Sequence, residues 1–150
     1  MRYFPLRSWK DSKVNFSYLA KTNKGKAHTG LDLDCTDIWE DCNGLPDVLS
    51  VDDGTVFKTG YDADGWGNFV VVKNHDGLFC IYAHLEHCLV AKGEPVIGCA
   101  PIGVMGSTGN STGPHLHFEI RSDYYNAASH ISPADYLGIK NAKGACRWTD

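Results

Sequence analysis

Two histidines, His115 and His117, stand two positions apart in the run Gly113-Pro114-His115-Leu116-His117-Phe118. On a strand, residues so spaced project from one face, with backbones roughly 6–7 Å apart. Two imidazoles in that relation suit two metal ligands, or one ligand beside an acid/base group. An isolated pair of this kind is more often two solvated side chains, so it needs company to mean anything. Two further patterns supply it: His28-Thr29-Gly30-Leu31-Asp32 and Tyr82-Ala83-His84-Leu85.

Fully extended, the four-residue step from His28 to Asp32 would separate their α-carbons by roughly 13 Å. Bonds of about 2.0–2.2 Å to one ion cannot bridge that gap. The chain must bend, and Gly30 is the residue best able to allow it. A helix would also bring positions four apart together, but glycine and threonine inside the span disfavour one. Alone, the pattern reads equally well as a hydrogen-bonded His/Asp pair in a loop. With one histidine of the H-x-H it becomes a two-histidine, one-carboxylate set. Three protein ligands leave tetrahedral Zn²⁺ one position for water, which is the arrangement of a catalytic site. Ligand type by itself leaves other divalent ions open.

The elements that must position these residues are strands. Glycine and turn residues punctuate the middle of the chain at short intervals, and long helical periodicity is absent. Strands are expected over 54–61, 68–73, 77–84 and 115–121, with short apolar steps at 96–97 and 102–105. Asn74-His75-Asp76-Gly77 carries an Asp-Gly hairpin signal between the second and third. Alternation puts Leu116, Phe118 and Ile120 on one face and His115, His117, Glu119 and Arg121 on the other. In the third strand Phe79, Ile81 and Ala83 alternate with Cys80, Tyr82 and His84. A histidine-bearing face more plausibly lines a cleft than fills a core, because buried polar groups need partners. Ser132-Pro133-Ala134-Asp135 can start a helical turn.

The whole chain sets bounds on all this. Its 150 residues fit one domain able to bury a core. A net charge of −4 gives no electrostatic draw to nucleic acid. No run approaches the roughly 20 apolar residues of a membrane span, and the N-terminus carries no signal-peptide pattern. The six cysteines form no C-x-x-C pair, which argues against a thiolate zinc site. Cys35 and Cys42 flank a polar loop that a short disulfide could close, while Cys80 and Cys99 read as small buried hydrophobes. His75 reads as a turn residue, and His87 and His130 as solvated. The rings of Trp39, Trp66, Tyr61 and Tyr124 read as packing. Tyr82, on the face of His84 by alternation, reads as packing more readily than as a substrate contact.

In these motifs the sequence resembles the lysostaphin-like (LytM-type) peptidoglycan metalloendopeptidases. That family carries an H-x-x-x-D motif, a histidine in a Y-x-H-L-like strand and a terminal H-x-H, matched here by His28–Asp32, Tyr82–Leu85 and His115–His117. Flanking runs agree as well: Asp53-Gly54-Thr55-Val56, Gly67-Asn68-Phe69-Val70-Val71 and Gly106-Ser107-Thr108-Gly109. The resemblance covers about residues 28–137 and implies a mainly β, antiparallel sheet domain with a groove across it and little helix. It implies one Zn²⁺ per chain held by His28, Asp32 and His117, with His84 and His115 as catalytic histidines. No H-E-x-x-H supplies a glutamate base. One of the two histidines would therefore accept the water's proton and the other would donate to the oxyanion.

The expected organisation is a single peptidase domain over 1–150, with a lead-in over 1–27 and a tail over 138–150. The expected substrate is peptidoglycan peptides, with no nucleic-acid partner and no membrane insertion, and the expected state is a monomer. Action is expected on the extracytoplasmic wall, reached by phage-type release, by another export route, or by a chain trimmed of its leader. The alternative is a non-catalytic member of the same fold that binds peptidoglycan or regulates an amidase. Between Asp32 and Asp53 the chain exceeds the usual family pattern, with Trp39-Glu40-Asp41-Cys42 in the surplus, and that loop is expected to form one groove wall.

Overall fold

The computed structural model describes residues 2–7, 9–35 and 45–149. In chain order its strands are β1 (Ser12–Phe16), β2 (Leu31–Cys35), β3 (Asp47–Leu49), β4 (Gly54–Asp62), β5 (Gly67–Asn74) and β6 (Phe79–Cys88). There follow β7 (Pro95–Val96), β8 (Pro101–Met105), β9 (Leu116–Arg121), β10 (His130–Ile131) and β11 (Gly144–Ala145), with one α-helix, α1 (Pro133–Leu137). All the strands belong to one antiparallel sheet whose main order is β11-β1-β2-β9-β6-β5-β4-β7. β10 pairs with β9, and β8 pairs with both β6 and β3. The mainly β antiparallel class expected from the sequence is the class observed.

Each expected strand is present with shifted ends. The hairpin between β5 and β6 turns at Gly77 with φ of 87°, and Asp76 Oδ1 accepts from Leu78 N at 3.0 Å. The helical turn forms where Ser132 Oγ accepts from Asp135 N and Gly138 closes the end in the left-handed region. β1, β2, β3, β10 and β11 were not legible, because each is short and its neighbours rather than its own alternation hold it in the sheet. β1 pairs with β2 on one side and β11 on the other.

The main core lies on one face of the sheet. Leu31, Leu33, Val70, Val72, Cys80, Tyr82, Leu116, Phe118 and Ile120 meet there under Ala134, Tyr136 and Leu137 from the α1 segment. Leu116, Phe118 and Ile120 are fully buried, each contributing about 1.5–3 kcal/mol. The other face carries a smaller cluster of Phe69, Val71, Ile81, Ala83 and Tyr124.

Some expectations fail. Cys80 is buried as expected, but Cys99 is exposed with φ of 72°. It occupies a tight turn before β8 in which Cys99 N donates to Ser50 O. His87 is exposed, but His130 is half-buried, its Nδ1 lying 2.6 Å from the Tyr18 hydroxyl. The expected groove wall around Trp39 and the possible Cys35–Cys42 pairing fall on 36–44, outside the described residues. Among the described residues no helix is long and apolar enough to cross a membrane.

Candidate functional site

β2, β9 and β6 are neighbours, and their register aligns three positions. Asp32 pairs with His117, and His117 pairs with Ala83. Directly paired positions of an antiparallel sheet share a face, so Asp32 and His117 project together, opposite the core that takes Leu116 and Phe118. His28 arrives from the segment before β2. A bridge between Lys21 and Ala27 closes a small hairpin, and His28 N then donates to Ala20 O at 2.9 Å.

The result is close convergence. His28 Nε2 lies 3.2 Å from Asp32 Oδ1, and His117 Nδ1 lies 2.9 Å from the same oxygen. One candidate ligand atom from each of the three residues falls within 4.8 Å of the others. The chain does bend at Gly30, but its φ is outside the left-handed region, so a second cause fixes the glycine. A Cβ there would sit 2.6 Å from His117 Cε1 and 2.8 Å from the Phe118 carbonyl oxygen. Gly30→Ala is therefore expected to force β9 or the His117 ring aside, lowering stability by about 1–3 kcal/mol in thermal unfolding.

His84 reaches the same face by a different device. Strict alternation would send it into the core with Tyr82. Instead its φ is 63°, and the pairing of β6 slips on both sides, between Asn68 and Val70 and between Leu85 and His87. A bulge of this kind re-aims a side chain, at a cost of about 1–2 kcal/mol for a residue with a Cβ. His84 N is bonded to Trp66 O at 2.7 Å. The ring then stands 4.8 Å from that of His115 and 6.0 Å from that of His117, centroid to centroid. Tyr82 stays in the core, fully buried, its hydroxyl accepting from Val51 N at 3.0 Å.

Backbone carbonyls orient both of these rings. His84 Nδ1 donates to Thr108 O at 2.8 Å, and His115 Nδ1 donates to Gly113 O at 2.9 Å. A carbonyl only accepts, so the proton sits on Nδ1 and Nε2 is the free nitrogen. Thr108 is itself pinned: its Oγ1 donates to Leu85 O at 2.7 Å and accepts from Asn68 N at 3.0 Å. The glycines around it are demanded by crowding, since a Cβ on Gly109 would meet Gly67 N at 2.3 Å. Gly106-Ser107-Thr108-Gly109 is thus a pedestal for His84, a role its sequence did not disclose.

Electrostatics separate the histidines. Burial, assisted by the neighbouring His115 and His117, pulls His84 down to about 4 and outweighs the bond to Thr108. It is neutral at neutral pH. Burial would also lower His117, but hydrogen bonds to Asp32 and to Glu119 overcome it and raise the ring to about 9. Burial opposes ionisation of Asp32, yet the bonds from His117 and His28 hold it well below the usual carboxylate range. Two ionised carboxylates thus flank one buried imidazole that keeps its extra proton. The lone pairs that hold this proton between His117 Nδ1 and Asp32 Oδ1, with His28 Nε2 alongside, are those a divalent cation would take. The donor set fits such an ion.

An open groove of about 580 Å³ lies over the cluster. Phe16 and Thr22, Asn23 and Lys24 stand on one side, and Gly65, Trp66 and Asn110, Ser111 and Thr112 on the other. Trp66 borders the groove, and its ring packs as expected, against Phe69 and the Arg121 guanidinium. Sequence reasoning did not assign Thr29, Thr108 or Glu119 any part. Glu119 alone left a signal, by sharing the histidine face of its strand.

A sheet of this topology is the fold of the lysostaphin-like peptidases. Residues 26–133 match Peptidase family M23, and the chain belongs to that family. It is 40% identical over 96 residues to the DD-carboxypeptidase/endopeptidase Mpg of Neisseria meningitidis, covering 64% of this chain and 20% of that protein. It is 37% identical over 90 residues to the murein hydrolase activator NlpD of Escherichia coli, covering 60% of this chain and 22% of that one. The chain thus spans about a fifth of the length of these curated relatives. The catalytic domain of the antimicrobial peptidase lysostaphin from Staphylococcus simulans superimposes with a TM-score of 0.74 at 26% identity. That match covers 86% of this chain and 94% of lysostaphin's domain.

Proposed function

We propose that this chain is a zinc-dependent endopeptidase that hydrolyses peptide bonds of bacterial peptidoglycan, acting outside the cytoplasm as a monomer. The convergence of His28, Asp32 and His117 beside His84 and His115 on a groove floor carries this reading. Membership of a peptidase family and the endopeptidase name of a 40%-identical relative support it. Zinc held by His28, Asp32 and His117 would supply Lewis acidity toward the scissile carbonyl and lower the pKa of water to about 7.

The remaining chemistry falls to the histidines. His84 is the proton acceptor: it is neutral, its Nδ1 proton is committed to Thr108, and Nε2 is bare. It takes the proton of the attacking water and passes it to the leaving amine. His115, its ring 4.8 Å away and its Nε2 3.6 Å from Asp32 Oδ2, is placed to hydrogen-bond the developing oxyanion when protonated. A regulator that only binds the wall would give no use to a neutral histidine held in a costly backbone conformation.

The test is digestion of purified peptidoglycan, with mass spectrometry of the released fragments. Peptide-bond cleavage that stops on chelation and returns with zinc is expected. A chain carrying stoichiometric zinc yet releasing nothing would move the assignment to the binding or regulating alternative.

Metal and proton compete here, which fixes a pH dependence. In the metal-free chain the raised pKa of His117 stabilises the fold fully below about 6.5, its ordinary value. That contribution is lost as pH rises through about 9. Asp32 and Glu119, both lowered, contribute above the ordinary carboxylate range and lose that contribution on acidification. His84, held down to about 4, likewise loses its contribution as pH falls below about 6.5. Chelator-treated protein should therefore be most stable near pH 6.5, about the ordinary histidine value, and weaken on either side. Zinc affinity should rise over the same upper span, because binding displaces the Nδ1 proton. Denaturant melts and zinc titrations at matched pH values check both directions.

A further inference from the structure

We propose that Glu119 is a positioning residue that holds the proton of His117 on Nε2 and so leaves Nδ1 as the metal-binding atom. This rests on the zinc ligands proposed above and adds the part that orients one of them.

The four histidines near the groove do not present themselves alike. His28, His84 and His115 each point Nδ1 away from the cluster at a backbone carbonyl: Ser17 O at 3.2 Å, Thr108 O at 2.8 Å and Gly113 O at 2.9 Å. Each is thereby oriented with Nε2 turned toward the cluster. His117 is reversed. Its Nδ1 faces Asp32 Oδ1 at 2.9 Å, and Nε2 is the nitrogen that points away. It lies inside β9, where the backbone is engaged with β2 and β6 on either side. The acceptor at Nε2 is a side chain instead, two residues along the same face.

That acceptor is built in place. Glu119 is 1% exposed, and its Oε1 lies 3.0 Å from His117 Nε2. Thr29, from the His28–Asp32 motif itself, donates its hydroxyl to the same oxygen at 2.8 Å. Arg121 Nε donates to Oε2 at 2.6 Å, while its Nη1 donates to Tyr124 O at 2.9 Å. Every carboxylate lone pair in use is thus directed, and the oxygen facing His117 accepts rather than donates. Gly30 completes the fit, since a Cβ there would lie 2.8 Å from Nε2. An imidazole with this partner cannot present Nε2 to the metal without losing a buried charge-assisted bond.

The experiment is zinc titration against a competing chelator dye for wild type, Glu119→Leu and Glu119→Gln, with circular dichroism and melting of each metal-free protein. The leucine variant should bind zinc roughly 10–100-fold more weakly, and glutamine, which keeps one acceptor oxygen, should lose less. Unchanged affinity with a lowered melting temperature would mean a merely structural carboxylate and overturn the proposal. Should the leucine variant not fold, nitrogen-15 spectra of the zinc-loaded wild type decide: Nε2 of His117 must carry a proton and Nδ1 the metal. Zinc on Nε2 overturns the proposal. A wild type that binds no zinc fails the ligand assignment beneath it, whereas tight wild-type binding with unaffected variants fails Glu119 alone.

Discussion

Asp32→Ala is expected to abolish stoichiometric zinc and peptidoglycan cleavage together. Asp32 Oδ1 is shared by His28 Nε2 at 3.2 Å and His117 Nδ1 at 2.9 Å, and Oδ2 lies 3.6 Å from His115 Nε2. Among the described residues no other carboxylate joins all three rings. Loss of an orienting partner costs a metal site roughly 10–100-fold in affinity, and loss of a ligand that is also the shared anion should cost more. The change also removes one of the two carboxylates beside His117. With Glu119 still 3.0 Å from Nε2, the metal-free fold should lose less than the roughly 3–5 kcal/mol of a buried charge left unpaired. Metal analysis after dialysis, cleavage assays and denaturant melts read the three effects separately. An Asp32→Ala protein that keeps one tightly bound zinc would displace this carboxylate from the centre of the site.

The second large effect is expected at His84 and His115, with the metal retained. Alanine at either should lower kcat by about 10²–10⁴-fold, the usual range for losing a proton-transfer group. Neither ring belongs to the set within 4.8 Å, so zinc content should not change. His84 permits a further check. Because its φ is 63°, His84→Gly should be more stable than His84→Ala by about 1 kcal/mol, while both are equally inactive. Equal melting temperatures for the two variants would mean that the backbone there relaxes, and the bulge would not be what aims the ring. Full activity in the His115→Ala protein would remove that residue from proton transfer.

What could be read in the chain, and what could not, divides along contact range. The types and order of the five candidate residues were legible because each lies in a short pattern, and Leu116, Phe118 and Ile120 alternate cleanly with His117 and Glu119. The β5–β6 hairpin was legible because Asp76-Gly77 is a local turn signal. Cys99 and His130 were misjudged because a turn bonded to Ser50 and the Tyr18 hydroxyl decide their environments.

His84 marks the boundary most clearly. Two-residue periodicity assigns it to the face of Tyr82, and that face is the core. The structure turns it over through bonds to Trp66 O and Thr108 O, which come from separate loops. Likewise Gly30 was legible as a bend, but the His117 ring that requires it comes from a strand far along the chain. Local sequence thus determined which chemical groups are available and which way a regular strand points them. Only the assembled sheet decided how near they come, which nitrogen each ring offers and which protons stay. Those properties depend on acceptors and charges contributed by distant strands, through distances and burial that no local pattern encodes.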